Sequence, residues 1–316
     1  MALLAPRKDI DAVFLTHDFR GPPMQDELAE AIRDADGVMV GLERVPAAMI
    51  ESGRKLRVIS RFGVGYDSVD VAACTRQNVL LTVVNGANDL SVAEHTMMLM
   101  LGVARRMVEY DTSVRAGTWM MQSGRRMHEL AGKTVLVIGY GRIGTRVARL
   151  CAAFGMKVMV TDPAFPTPRI AADGFIPAPD ALAALPQADV VTLHCPLDSV
   201  TRGMVNAAFF KRMKPTAWLI NTARGPIVDE PALVEALARG TIEAAGLDVL
   251  SKEPVPAGHP LFAMPNVVFS PHNATAPLEC FAKMSCRAAQ NLLDFLDGVI
   301  DPGYTVNPEV LKRNAA

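Results

Sequence analysis

The chain has 316 residues, of which 50% are hydrophobic and 21% are charged, a composition typical of a globular protein with two domains. Its formal net charge of −1 gives no reason to expect a surface for nucleic acid or for an anionic membrane. No apolar stretch is long enough to span a membrane, and charged residues occupy the N-terminal segment where a signal peptide would need an apolar run. The five cysteines lack C-x-x-C spacing and are expected to be reduced thiols in a cytoplasmic protein.

The chain before residue 91 alternates between predicted strands and helices, which indicates a small parallel sheet with helical crossovers. The predicted strands cover residues 12–16, 37–40, 56–60 and 79–83, and the predicted helices cover residues 25–34, 46–53 and 69–77. A longer, methionine-rich helix is predicted over residues 91–108, where we expect packing in the core or against another subunit. We place the first domain boundary on this helix.

The second part of the chain alternates again and reads as a complete nucleotide-binding sheet. The predicted strands cover residues 134–138, 156–161, 189–193, 217–221, 243–247 and 266–270, and the predicted helices cover residues 143–154, 180–185, 206–213, 230–239 and 277–296. Six parallel strands are the number that a dinucleotide-binding sheet needs. The tail after residue 298 has too little core to stand alone. We therefore expect a discontinuous domain, 1–102 and 288–316, with the domain 103–287 inserted in it.

Residues 134–144, with the sequence TVLVIGYGRIG, combine an apolar strand, a glycine-rich turn and the start of a helix. Gly139, Gly141 and Gly144 have the G-x-G-x-x-G spacing. The first glycine permits the tight turn, the second lets a pyrophosphate approach the backbone, and the third lets the helix pack closely on the strand. The helix N-terminus would offer N–H groups and a positive dipole end to the phosphates.

Asp162 ends the next predicted strand, 18 residues beyond Gly144. At that spacing a carboxylate accepts hydrogen bonds from the adenosine ribose and repels a 2′-phosphate. The sequence therefore predicts dinucleotide binding, with NAD favoured over NADP. The alternative for Asp162 is a turn residue before Pro163.

Polar residues also follow the later strands of the predicted sheet, where ligands bind in folds of this type. These residues are His194-Cys195-Pro196, Asn221-Thr222-Ala223-Arg224-Gly225, Asp248, Glu253 and Ser270-Pro271-His272. Arg224 suits a clamp on a carboxylate, because a guanidinium binds it bidentately and stays charged. His272 suits a general acid or base, and Glu253 suits the anion that orients it. The alternatives are a surface Arg–Glu ion pair and a histidine that caps the last helix.

Six motifs occur in a fixed order along the chain. They are residues 63–67 (GVGYD), 91–95 (SVAEH), the glycine turn, 221–230 (NTARGPIVDE), 246–249 (GLDV) with Glu253-Pro254, and 270–272 (SPH). Together they resemble the D-isomer-specific 2-hydroxyacid dehydrogenases, from about residue 56 to about residue 291. The resemblance implies an α/β fold in which a Rossmann-type, doubly wound parallel sheet is inserted in a smaller, flavodoxin-like α/β substrate domain. It also implies an active site in the cleft between the domains and a homodimer built on the cofactor domain.

The resemblance assigns roles to particular residues. It places Arg224, Glu253 and His272 at the catalytic positions and gives the substrate to Val64, Gly65, Arg224 and His272, with the amides of Val64 and Gly65 holding its carboxylate. Beside the glycines and Asp162, the cofactor residues that it implies are Arg142, Ile143, Cys195, Pro196, Thr222, Ala223 and Asp248, the last at the nicotinamide amide. No metal is expected. Cys195 is expected to pack rather than to act as a nucleophile, and His17, His95 and His194 are interpreted as structural.

The resemblance implies an NAD-dependent oxidoreductase that interconverts a 2-oxo acid and a D-2-hydroxy acid. We expect a small substrate such as glyoxylate or hydroxypyruvate, because the cations available for a phosphate, among them Arg76, have equally good interpretations as solvated helix charges. A D-3-phosphoglycerate dehydrogenase and an NAD-sensing, corepressor-like binding protein remain alternatives. Asn85 departs from the family pattern, since many relatives have proline there. Formate dehydrogenases fit less well, because the resemblance implies that they have glutamine at the position of Glu253.

Overall fold

The protein is described from a computed structural model, which describes residues 3, 7–15, 25–119 and 127–314. Up to residue 119 the elements are α1 (Gln25–Ile32), β1 (Gly37–Val40), α2 (Ala47–Ser52), β2 (Val58–Arg61), α3 (Val71–Arg76), β3 (Leu80–Thr82), α4 (Asp89–Ala104) and α5 (Met107–Arg115). From residue 127 they are β4 (Thr134–Ile138), α6 (Arg142–Ala153), β5 (Lys157–Thr161), α7 (Thr167–Ala172), β6 (Ile176–Pro177), α8 (Ala181–Ala184), β7 (Val190–Leu193), α9 (Ala207–Arg212), β8 (Trp218–Asn221), α10 (Glu230–Ala238), β9 (Ala244–Leu247), β10 (Val267–Phe269), α11 (Leu278–Leu296) and α12 (Glu309–Asn314).

The predicted alternation of strands and helices is confirmed, although the short helices α7 and α12 were not predicted and three further differences occur. Residues 12–15 form no strand, their apolar side chains are exposed, and Thr16 lies outside the described residues. The helix predicted over residues 91–108 is two helices, because Arg106 has a φ of +51°, in the left-handed region, and interrupts the helix between α4 and α5. The edge strand β6 was not predicted, since two residues are too few to show a period.

The chain divides into two compact units, the first formed by Met1–Asn88 and Pro277–Ala316 and the second by Asp89–Ala276. The predicted boundaries, at residues 102 and 287, fall inside α4 and α11, whereas the chain passes between units at the N-terminal ends of those helices. Each helix stays whole because its buried residues pack within a single unit. Leu99 and Met100 of α4 pack in the second unit, and Met284 of α11 packs with Val84 in the first.

The first unit contains a parallel three-stranded sheet in the order β1-β2-β3. The C-terminal segment extends this sheet, because Thr305 forms an antiparallel bridge with Thr82. The side-chain amide of Asn307 then completes the pairing. It accepts from the N–H of Leu81 at 2.8 Å and donates to the carbonyl of Val79 at 2.9 Å. The edge of β3 is therefore covered rather than exposed.

The second unit contains a parallel seven-stranded sheet in the order β10-β9-β8-β7-β4-β5-β6. Apart from the added β10, this is the Rossmann order, in which the direction of winding reverses between β4 and β7. Alternate residues of β4 serve different cores: Leu136 and Ile138 join one cluster, and Val135 and Val137 join the other. A strand with helices on both faces needs apolar residues at every position, which explains the uninterrupted run in the sequence. Among the described residues, no helix combines the length and the apolar character needed to cross a membrane.

Candidate active site

The glycine turn between β4 and α6 is built as the motif predicts, with a different reason for each glycine. Gly139 has a φ of +97°, and a Cβ there would lie 2.6 Å from the backbone nitrogen of Cys195. A Cβ on Gly144 would overlap the carbonyl oxygen of Gly139. Gly141 has an ordinary φ of −67°, and apart from its chain neighbours no atom of the described residues lies within 4 Å of the place where its Cβ would be. Its lack of a side chain therefore leaves open space above the turn.

That open space faces the N-terminus of α6, whose amides are the other part of a phosphate site. Gly141 is the N-cap residue of this helix, and no described side chain accepts from its first N–H groups. Arg142 is exposed and Ile143 is half-buried in its first turn. Uncapped N–H groups and the helix dipole attract an anion. A bare backbone beside an uncapped helix N-terminus fits the pyrophosphate of a dinucleotide.

Asp162 lies at the end of β5, beside the same turn. Its carboxylate accepts from the N–H of Tyr140 at 2.7 Å and from the N–H of Ala164 at 2.8 Å. The carboxylate thus ties the glycine turn to the loop after β5, a contact that the turn-residue alternative also expects. A carboxylate has about four acceptor positions, so two of them remain for ribose hydroxyls.

The end of β7 lies under the glycine turn and carries no charge. The imidazole of His194 is hydrogen-bonded through Nε2 to the hydroxyl of Thr192 at 2.9 Å, and burial lowers its pKa to about 3. Burial also raises the pKa of Cys195 to about 11, so its thiol stays protonated near neutral pH. Both observations agree with the structural interpretation of these side chains. Pro196 is exposed, and its carbonyl accepts from the Thr201 hydroxyl at 2.7 Å.

The end of β8 presents Arg224 on a shaped loop. The side chain of Asn221 accepts from the N–H of Ala223 and donates to the carbonyl of Arg224, both at 3.0 Å. The guanidinium of Arg224 donates to the carbonyl of Ala223 at 2.8 Å. Thr222 is buried, and its hydroxyl lies 2.9 Å from that of Thr96 on α4. Asn221, to which the sequence assigned no separate role, therefore shapes the loop around Arg224.

His272 and Glu253 form the closest pair among the predicted catalytic residues. Nδ1 of His272 lies 2.5 Å from Oε2 of Glu253, and about a third of each side chain is exposed. The other oxygen of Glu253 accepts from the N–H of Leu250 at 3.0 Å. A carboxylate bonded to Nδ1 orients the ring and leaves Nε2 as the nitrogen that exchanges a proton with a ligand.

A second histidine–carboxylate pair, which no sequence pattern predicted, holds the loop that carries Glu253. Oε1 of Glu230, at the start of α10, lies 2.9 Å from Nε2 of His259, and Oε2 accepts from the N–H of Ser251 at 2.8 Å. Nδ1 of His259 accepts from the N–H of Leu261 at 3.3 Å, so its Nε2 carries the proton donated to Glu230. This loop is consequently fixed on both sides of Glu253.

Asp248, at the end of β9, is almost completely buried and makes more contacts than its predicted role requires. Its carboxylate accepts from Ser270 and lies 3.2 Å from Nε2 of His95 on α4. The sequence interpretation of His95 as structural did not foresee this contact with a predicted site residue. Its environment lowers the pKa of Asp248: burial opposes ionisation, and hydrogen bonds from His95 and Ser270 outweigh it.

Val64 and Gly65 belong to the first unit, in the loop after β2. Gly63 begins this loop with a φ of +154°, and its carbonyl accepts from the N–H of Val84 at 3.1 Å. Among the described residues, no acceptor takes the N–H of Val64 or of Gly65. In the same unit the side chain of Asn85, the departure from the family pattern, donates to the carbonyl of Gly303 at 2.9 Å. His17 lies outside the described residues.

The described residues include no group of three histidine, cysteine, aspartate or glutamate side chains placed to hold a metal ion.

Comparison with known proteins adds to this geometry. The family model for the NAD binding domain of D-isomer specific 2-hydroxyacid dehydrogenases matches residues 97–274. The chain belongs to the D-isomer specific 2-hydroxyacid dehydrogenases. It is accordingly an oxidoreductase with NAD as its cofactor, and the glycine turn fits that cofactor.

Individual relatives are similar to this chain over nearly its whole length. A glyoxylate reductase from Thermofilum pendens is 39% identical over 298 residues, which are 92% of this chain and 87% of that protein. A D-3-phosphoglycerate dehydrogenase from Archaeoglobus fulgidus is 35% identical over 276 residues, 87% of this chain but 52% of that protein. The crystal structure of D-lactate dehydrogenase from Aquifex aeolicus, complexed with NAD and lactic acid, matches with a TM-score of 0.85 at 27% identity, covering 96% of this chain and 95% of that one.

Proposed function

We propose that this dehydrogenase reduces a small, unphosphorylated 2-oxo acid, such as glyoxylate or hydroxypyruvate, to its D-2-hydroxy acid. The observation that carries the proposal is the hydrogen-bonded pair of His272 and Glu253 after β9 and β10, with Arg224 after the neighbouring strand β8. An acid oriented by a carboxylate and a permanent cation are what the reduction of a 2-oxo acid requires from the protein.

Each of these side chains has one task in the proposed reaction. Arg224 binds the substrate carboxylate and polarises the carbonyl, because its charge persists at every pH of interest. His272 donates a proton from Nε2 to the carbonyl oxygen as negative charge develops there. Glu253 orients the ring and stabilises its cation. On the resemblance alone, the amides of Val64 and Gly65 also hold the substrate carboxylate.

The bound NADH supplies the hydride. The proposed cofactor residues, which supply shape, amides and hydrogen bonds around it, are Gly139, Gly141, Arg142, Ile143, Gly144, Asp162, Cys195, Pro196, Thr222, Ala223 and Asp248. The open space above Gly141 and the free acceptor positions of Asp162 support the pyrophosphate and ribose parts of this set.

A phosphorylated substrate is the main alternative, since one relative is a D-3-phosphoglycerate dehydrogenase. It would need a cation free to bind the phosphate. Arg76, the candidate from the sequence, lies in the last turn of α3 with an exposed guanidinium, 3.5 Å from the carboxylate of Glu51. This pairing supports the interpretation of Arg76 as a surface charge and therefore the unphosphorylated substrate.

The two substrate classes are separated by kcat/KM for glyoxylate and hydroxypyruvate beside phosphohydroxypyruvate, with NADH in each assay. We expect hydroxypyruvate to be favoured by more than about tenfold, because an uncompensated phosphate costs at least about 1.4 kcal/mol. A tenfold preference for the phosphorylated compound would reverse the assignment. Turnover of none of the three would favour an NAD-binding protein without this activity.

We also infer that the protein is a cytoplasmic homodimer. All five cysteines are free thiols, which agrees with a reducing compartment. The helix α5 contains no buried residue, although it carries Met107, Val108 and Val114, and Trp119 follows it with 72% of its surface exposed. A cluster of exposed apolar side chains such as this one is typical of a subunit interface. A second copy of the chain is the proposed occupant.

A further inference from the structure

The backbone of His272 is strained. Its φ is +51°, in the left-handed region that side chains other than glycine rarely adopt. Such a conformation persists only where the surrounding structure holds it, and it is common at functional sites. The contacts that hold this turn therefore determine where the imidazole of His272 points.

Asp248 supplies those contacts through both its backbone and its side chain. Its carbonyl oxygen accepts from the N–H of His272 at 2.7 Å. Its carboxylate accepts from the N–H of Asn273 through Oδ1 at 3.0 Å and from the N–H of Ala274 through Oδ2 at 3.3 Å. Three consecutive amides of the turn thus donate to one residue, so a displacement of Asp248 would displace His272.

Asp248 is itself held by two side chains that no predicted role uses. The hydroxyl of Ser270 donates to Oδ1 at 2.5 Å. Nε2 of His95 lies 2.6 Å from the oxygen of Ser270 and 3.2 Å from Oδ1 of Asp248. Because the Ser270 hydroxyl gives its hydrogen to Asp248, its oxygen accepts from His95, and the proton of the imidazole lies on Nε2. His95 therefore donates to both neighbours.

This cluster is well shielded from solvent. The side chain of Asp248 is 1% exposed and that of His95 is 13% exposed. A buried carboxylate is stable as an anion only when donors surround it, and loss of one donor leaves it free to protonate or to shift. The anchor of the catalytic turn consequently depends on a side chain of α4, far away along the sequence.

We propose that His95 is a positioning residue for catalysis: with Ser270, it fixes the Asp248 carboxylate that holds the backbone turn carrying His272. The inference rests on the proposed role of His272 as the proton donor. It gives a task to His95 in the 91–95 motif, which the proposed reaction leaves unused.

The test compares His95→Leu, which removes the donor, with His95→Gln, whose side-chain amide keeps an N–H near the position of Nε2. We expect His95→Leu to lower kcat by about 10- to 100-fold while KM for NADH changes by less than about threefold. His95→Gln should recover kcat to within about fivefold of the wild type. Hydrogen–deuterium exchange should become faster over residues 270–276 in His95→Leu and not in His95→Gln.

The matched control is His128→Leu. His128 forms the same kind of pair with Glu243, at 3.1 Å, at the opposite end of the same strand β9. It should cost thermal stability without lowering kcat or loosening residues 270–276. If His95→Leu does not fold, Ser270→Ala removes a single hydroxyl from the same cluster and should give the same loss of kcat.

A value of kcat within about threefold of the wild type for folded His95→Leu or for Ser270→Ala would overturn the inference, as would an equal loss in His128→Leu. The variant His272→Ala distinguishes a failure of this inference from a failure of the proposed function. If His272→Ala loses activity and His95→Leu does not, only the inference fails. If His272→Ala retains near-normal kcat, the proposed proton donor is wrong, and the exchange measurement alone decides whether His95 orders the turn.

Discussion

Asp162 has two functions that share one carboxylate. It accepts two backbone N–H groups and so shapes the glycine turn, and it is also the proposed partner of the adenosine ribose. Its negative charge at this place disfavours a 2′-phosphate. A substitution that removes the whole side chain would therefore disturb the turn and the cofactor preference together. Asparagine separates the two in part, because it removes the charge and keeps one oxygen, which accepts from one of the two N–H groups; these donate to different oxygens of Asp162.

We expect the wild-type enzyme to have a kcat/KM for NADH at least about tenfold higher than for NADPH, a difference of about 1.4 kcal/mol. Asp162→Asn should narrow this ratio, mainly by raising kcat/KM for NADPH, and should lower the melting temperature less than Asp162→Ala does, because one of the two backbone N–H groups keeps its acceptor. Asp162→Ala serves as the comparison and should lower the melting temperature as well. Equal or better use of NADPH by the wild type would show that another residue meets the ribose.

The residues that the sequence predicts well are those whose function follows from their position after a strand. His272 and Glu253, 19 residues apart, were expected to form a pair and do so. His95 was not, because its partner Ser270 lies 175 residues away and nothing in a single sequence joins them. The pair of His259 and Glu230 was not predicted for a related reason. Each residue has an ordinary interpretation as a loop or helix-start residue, and only folding brings them together.

At the scale of elements, the strand–turn–helix unit of β4 and α6 was predicted almost residue by residue. Its signal is local, since an apolar run and three spaced glycines specify the whole unit. The break between α4 and α5 was not predicted, because arginine is a good helix former and its identity gives no indication of the left-handed φ at position 106. The glycine turn between β4 and α6 offers a matched pair of glycine substitutions.

Gly141→Ala and Gly144→Ala should fail in different ways. A Cβ on Gly144 would overlap the carbonyl of Gly139, so Gly144→Ala should destabilise the protein by at least about 1–3 kcal/mol. Gly141 has room for a Cβ and an ordinary φ. Gly141→Ala should therefore keep the wild-type free energy of unfolding and raise the Kd for NADH by about tenfold or more. Urea unfolding and fluorescence titration with NADH measure the two effects. Unchanged NADH binding in Gly141→Ala would mean that the pyrophosphate lies elsewhere.

At the scale of the whole molecule, the sequence predicts that one domain is inserted in another, and the chain does leave the first unit and return to it. The exact boundaries depend on which core takes each connecting helix, and α4 and α11 are apolar enough to suit either. Leu99 and Met100 decide the matter for α4, because they pack in the core of the second unit. Which core takes the helix depends on how closely its side chains pack there, and hydrophobic periodicity does not record that packing.

The uncovered helix α5 leads to the prediction about assembly. Burial of Val108, which is 55% exposed in one chain, would stabilise a dimer, whereas a buried unpaired carboxylate would oppose it. We expect the wild type to sediment with twice the mass of one chain at micromolar concentration, and Val108→Glu to shift the equilibrium towards the monomer. Val200→Glu is the matched control, because Val200 is a single valine, 80% exposed, on a loop of the same unit. A wild-type monomer, or equal dissociation of the two variants, would contradict a dimer built on α5.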